Sequence, residues 1–171
     1  MLIRNATLKD AEAIARVHVE SWQAAYDGLI AHEYLQSMSA DERLPKWEQL
    51  IRECHATHHV LVVEEDQRIL GFSHIRLRTE LEELTGSWYE LHAIYSVPAA
   101  WGRGIGSALL KESLSIQSNC VGCYLWTLEG NERAQHFYER HGFQRDTLRK
   151  QYRIGEEVHS ICRYLKRVKR P

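Results

Sequence analysis

What this sequence lacks narrows its reading before any motif is considered. No apolar run approaches the ~20 residues of a membrane-crossing helix, so no span is expected. The N-terminus has no basic segment followed by an apolar core and a small-residue cleavage site. No secretion signal is therefore expected, and a cytoplasmic location is the default. Neither sign of charge dominates: 22 Lys and Arg stand against 23 Asp and Glu, a net charge of −1. That balance gives no reason to expect nucleic acid or a membrane surface as a partner. The basic run from Lys166 to Arg170 is short and terminal, and it reads as a solvated end. Only three prolines occur, and no linker, repeat or low-complexity tract divides the 171 residues. One domain over 1–171 with a full core is expected.

Cysteine is also scarce. Cys54, Cys120, Cys123 and Cys162 would serve as small apolar residues in a reducing compartment. Cys120 and Cys123 form a C-x-x-C, but no second close pair completes a tetrahedral zinc site, and the pair enters a predicted strand rather than opening a helix. His55, His58 and His59 fall between a helix and a strand and read as a polar connector. No metal is expected. The common nucleotide fingerprints are missing too. Counted from Gly102 or Gly104, the sixth position of a dinucleotide loop is Ser107 or Leu109, and there is no Gly-Lys-Ser/Thr of a P-loop.

The stretch Tyr89 to Leu110, YELHAIYSVPAAWGRGIGSALL, organises what is present. An apolar, aromatic and β-branched run ends at Val97-Pro98, which is a strand signal. Glycines follow at 102, 104 and 106, and an amphipathic helix starts at Ser107-Ala108-Leu109-Leu110. Strand, glycine loop and helix start make an anion-binding layout. The first amides of a helix lack intrahelical partners, and the macrodipole adds partial positive charge there. A tight turn with no ligand accounts for the glycines alone equally well.

The remaining elements read in order. Leu2 to Ala6 alternates as a strand, and Thr7 to Asp10 resembles a capping box. Ile14, Val17, His18, Trp22 and Tyr26 recur at helical spacing. Short and longer helices are expected over 32–38 and 40–54, the second capped by Ser39 and tolerating Pro45 near its start. A hairpin over 60–77, a polar loop over 79–86, the central strand and the loop-helix unit follow. A strand over 124–128, a helix over 132–140 closed by Gly142, and strands over 144–148 and 157–164 complete the chain. This is a mixed α/β domain.

Two segments carry a family resemblance. Arg-Gly-Ile-Gly, placed between Tyr-Ser-Val-Pro and Ser-Ala-Leu-Leu, resembles the acetyl-CoA signature of the GNAT family of N-acetyltransferases, with Gly104 and Gly106 matching. Trp101 stands where that family carries Gln or Arg. The segment Asn131 to Phe143 resembles the family's N-x-x-A-x-x-F-Y-x-x-x-G-F at every fixed position, and the element order matches over essentially the whole chain. Taken alone, these residues also have a structural reading: Asn131 as an N-cap, Ala134 with Phe137 and Tyr138 on one helical face.

The resemblance implies a single-domain GNAT fold, a mostly antiparallel mixed sheet whose central strand pair splays. It implies acetyl-CoA as cosubstrate and direct attack by an acceptor amine in a ternary complex. Main-chain groups of Ile94, Tyr95 and Ser96 would line the pantetheine arm. Gly102, Arg103, Gly104, Ile105, Gly106 and Ser107 would hold the pyrophosphate, Asn131 would contact the CoA arm, and Tyr138 would protonate the leaving thiolate. Glu90 is the first candidate for the base and His92, two residues on, the second. Some family members place a base where this chain has Trp126. Trp22 and Tyr26 are candidates for the acceptor site, or simply for the core. A small-molecule amine is the expected acceptor and a homodimer is plausible. A protein or peptide acetyltransferase, or an acyl-CoA-binding regulator without turnover, are the alternatives.

Overall fold

Strand β2 (His58–Glu65) explains the layering. In the computed structural model, which describes residues 1–79, 84–116 and 120–168, Val60 and Val62 of this strand pack into one core cluster and Leu61 and Val63 into another. All four are buried. A strand apolar on both faces needs cover on both. Helices α1 (Ala11–Ala25) and α3 (Ala40–Arg52) supply the first cover, through Ile14, Val17, Trp47 and Ile51. Helix α4 (Ile105–Ser115) supplies the second, through Ile105 and Leu109.

The starts of α1 and α3 follow from their local sequence. The Thr7 amide donates to the Asp10 carboxylate at 2.7 Å ahead of α1. Ser39 Oγ accepts from the Asp41 amide at 3.2 Å and opens α3. A short helix, α2 (His32–Ser37), lies between them. The other elements are β1 (Leu2–Asn5), β3 (Arg68–Arg78), β4 (Trp88–Ser96), β5 (Gly122–Leu128), α5 (Glu132–Arg140), β6 (Gln144–Ile154) and β7 (Glu157–Arg167).

The seven strands form one sheet in the order β1-β2-β3-β4-β5-β7-β6. All neighbours are antiparallel except β4 and β5, which run parallel. That parallel ladder is short. It joins Trp88, Tyr89 and Glu90 to Gly122, Cys123 and Tyr124 and goes no further. Beyond Glu90 the two strands diverge.

Three expectations need correction. Strand β6 runs to Ile154, not 148, although Arg149 to Arg153 are polar and exposed. It is the outer strand, paired with β7 alone, and Ile154 at its end is its one buried residue, so an apolar alternation is not required of it. The start of the basic run is not a solvated end. Lys166 and Arg167 belong to β7; Lys166 Nζ donates to the His141 carbonyl at 2.6 Å, and the Arg167 guanidinium lies 5.2 Å from the Trp88 ring centre. His58 is no connector either, but a buried strand residue whose Nε2 lies 2.8 Å from His74 Nε2. Residues 80–83 of the expected polar loop and 169–170 of the basic run lie outside the described residues.

Candidate active site

A one-residue slip builds the site. His74 of β3 pairs with Ala93 and Ile75 with Leu91, so His92 has no partner across the ladder. An extra residue of this kind bends its strand and strengthens the local twist. The bulge falls just past Glu90, where β4 leaves β5. The edge of β4 that β5 abandons opens into a cleft of about 530 Å3.

The cleft gathers most of the residues that the sequence singles out. Ile94, Tyr95 and Ser96 line it from β4, with Gly102, Gly104, Ile105, Gly106 and Ser107 at its head. Gly104 is the N-cap of α4 at φ +80°, a left-handed conformation that glycine adopts without strain. The first amides of α4 therefore face the head of the cleft without intrahelical partners. Asn131 caps α5, its Oδ1 accepting from the Ala134 amide at 3.1 Å, and also lines the cleft. Tyr138 enters from α5. Burial pushes its phenol well above the ordinary range, with Tyr95 and Cys123 adding to the shift, so the group is a neutral proton donor.

Arg103 departs from this group. Its guanidinium turns out of the cleft and binds the Glu65 carboxylate at 2.5 Å. Another arginine, which no sequence signal marks, takes a place at the cleft: Arg133 of α5 stacks 3.4 Å over the Trp101 ring, and both line the cleft. Trp101 Nε1 donates to the Ser96 carbonyl at 2.9 Å, and Ser21 Oγ donates to the same carbonyl at 3.0 Å. The indole thus braces the glycine loop against β4 and carries a cation on its face.

A second cavity, of about 230 Å3, adjoins the first. Tyr26, Leu91, His92, Tyr95, Trp126 and Thr127 line both. Trp22, Glu90 and Tyr152 line the second alone. Trp22 and Tyr26 meet at 4.8 Å between ring centres, and Tyr26 Oη lies 3.2 Å from Tyr95 Oη. Burial holds the Tyr26 phenol up at about 12.

Glu90 and His92 meet across the bulge, with His92 Nε2 3.0 Å from Glu90 Oε2. Arg78 Nε donates to the same carboxylate oxygen at 2.9 Å, and Tyr124 adds a further hydrogen bond. Burial alone would raise the Glu90 pKa. The hydrogen bonds and charges of His92 and Arg78, with Tyr124, outweigh it and bring the group to about 2. Glu90 is thus an ionised carboxylate anchored by three neighbours. The His92 side chain keeps 31% of its surface exposed, against 13% for Glu90, and stacks on His74 at 4.8 Å between ring centres. Among the described residues, no three His, Cys, Asp or Glu side chains converge as a metal-binding group.

Comparison with known proteins agrees with this geometry. Residues 16–143 match the model of the Acetyltransferase (GNAT) family. An uncharacterized N-acetyltransferase of Bacillus subtilis, YuaI, is 31% identical over 133 residues, covering 75% of this chain and 72% of its own. A spermidine N(1)-acetyltransferase of Thermoplasma acidophilum is 26% identical over 149 residues, covering 83% and 87%. The structure of the PaiA N-acetyltransferase of Thermoplasma acidophilum, solved in complex with coenzyme A, superposes with a TM-score of 0.75 at 23% identity, over 95% of this chain and 96% of that one. With its family match running from α1 through the glycine loop to the end of α5, this chain belongs to the GNAT family of N-acetyltransferases and is an acyltransferase.

Proposed function

We propose that this chain transfers the acetyl group of acetyl-CoA to the primary amine of a small molecule, by direct attack in a ternary complex. The observation that carries this reading is the pair of cavities meeting at the bulge. One is headed by the amides of a helix start, the other is walled by aromatic rings, and His92 lines both. The relative named a spermidine N(1)-acetyltransferase supports an amine acceptor.

The residues present fit the cofactor. The free amides at the start of α4 and the Arg133 guanidinium suit phosphate groups. The unpaired edge of β4, at Ile94 to Ser96, suits the amides of a pantetheine arm. Acetyl-CoA, when bound, supplies an activated acyl carbonyl on a thiol leaving group. The chain's own residues then handle protons. His92 takes a proton from the ammonium, and Glu90 holds the imidazole and stabilises its charged form. The neutral nitrogen forms the C–N bond as the C–S bond breaks. Tyr138 hands its proton to the departing sulfur, and the second proton lost by the nitrogen restores the phenol. The first, taken by His92, is released to solvent, so charge and atoms balance.

Mass spectrometry of a mixture of enzyme, acetyl-CoA and a panel of small amines tests this reading. An acetylated amine with stoichiometric free CoA is expected. Acetyl-CoA binding with no acceptor modified, at any pH from 6 to 9, would leave the reading without support.

A further inference from the structure

We infer that the acceptor is a primary monoamine carried on a flat apolar body, an arylalkylamine, seated in the second cavity between Trp22, Tyr26, Trp126 and Tyr152. The inference rests on the acetyltransferase reading above and names the substrate class of that site. Its first support is shape. The rings come from α1, β5 and β6, so they face the cavity from different sides. Tyr152 leaves 54% of its surface uncovered, although it is a large aromatic on a strand. An aromatic ligand stacked there would bury ring faces that the fold leaves available.

The second support is charge. Among the described residues that line either cavity, Glu90 is the single carboxylate. It is already bound by Arg78 and His92. Those residues therefore offer one carboxylate for an ammonium, beside His92. A linear polyamine would bring further ammonium groups against the aromatic and aliphatic walls, where unpaired charge is costly. Guanidinium groups line the larger cleft instead, at Arg133 and Arg140.

The third support is size. A volume of about 230 Å3 is below that of a typical pocket for a drug-sized ligand, about 300–1,000 Å3. Tyr152, Ile154 and Ile161 of the β6–β7 hairpin close one side of it. An extended peptide needs a longer groove and backbone partners. A ring on a short alkyl arm needs neither. With the ring among the aromatics, the arm points its nitrogen at His92, on the border of the two cavities.

The test compares kcat/KM for 2-phenylethylamine, hexylamine, a linear triamine and an alanine-initiated peptide, with product detected by mass. The expected order puts 2-phenylethylamine about tenfold above hexylamine and about a hundredfold above the triamine and the peptide. Tyr152→Ala, on the exposed outer strand, should raise KM for 2-phenylethylamine about tenfold and leave the calorimetric affinity for acetyl-CoA unchanged. Preference for the triamine or the peptide would overturn the inference. So would acetyl-CoA binding without acetylation of 2-phenylethylamine, which leaves the cofactor reading standing. Failure to bind acetyl-CoA would overturn both.

Discussion

The His92 imidazole and the Glu90 carboxylate touch at 3.0 Å, with His92 the extra residue of the bulge in β4. In a regular strand the two would share a face at a separation of two residues. Here the slip turns His92 to the border of both cavities, while Arg78 and Tyr124 hold Glu90 in place. In the reaction proposed above the two groups play separate parts: the imidazole moves the proton, and the carboxylate orients the ring.

This division predicts different kinetics for the two residues. His92→Gln should lower kcat/KM by about 10²–10³, the scale for losing a general base. Glu90→Gln should lower the rate less, because the imidazole remains and loses only the carboxylate that orients it. Steady-state rates check both. Unchanged turnover in His92→Gln would assign the base elsewhere.

Tyr138→Phe should reduce kcat by about a hundredfold, the usual scale for losing a general acid, while acetyl-CoA binds as before. The phenol lines the cleft and stays protonated. Single-turnover kinetics beside calorimetry separate the two effects. Unchanged turnover in this variant would remove Tyr138 from the chemistry.

The Arg133–Trp101 stack predicts coupled losses. Arg133→Gln and Trp101→Ala should each weaken acetyl-CoA binding, by about fivefold, because the guanidinium is held in place by the ring it covers. The double variant should lose less than the product of the two. Calorimetric affinities at low salt measure this, and strict multiplicativity would mean that the residues act separately.

Acid should destabilise the fold well before its carboxylates titrate. Burial holds His18 and His74 at about 3, with the Arg43 and Lys46 charges adding at His18 and the His92 and His58 charges at His74. His18 Nδ1 accepts from Trp47 Nε1 at 3.2 Å, so the folded state keeps this ring neutral. In the unfolded chain such groups bind protons below about 6.5. Between about 6.5 and 3 the unfolded state therefore binds more protons, and each group lowers stability by up to about 1.4 kcal/mol per pH unit as pH falls. Denaturant unfolding at pH 7.5, 6.0 and 5.0 checks the sign, and His18→Phe should flatten the slope.

The site is legible in the sequence only where it is local. Gly104 and Asn131 begin helices, and their roles follow from a few neighbouring residues. The path of the cleft depends instead on register between β3 and β4, which no single stretch encodes. For the same reason Arg78 and Tyr124, which hold Glu90, come from two neighbouring strands and carry no signal of their own. Arg103 sits inside the glycine loop yet faces Glu65, while Arg133, 30 positions on, stacks over Trp101 beside the same loop. Strand β6 is hidden by its polar composition because an outer strand that is mostly exposed has no apolar period.

In the proposed reading the start of α4 holds the phosphates of acetyl-CoA. Calorimetric titration of acetyl-CoA into the wild type and Ser107→Glu tests this. A glutamate in the first turn favours the helix dipole, so the melting temperature of the variant should not fall. The same charge opposes a bound phosphate. The expected result is a dissociation constant on the order of micromolar for the wild type, one site per chain, and at least about tenfold weaker binding in the variant. Equal affinity in both proteins, or no binding to either, would contradict it.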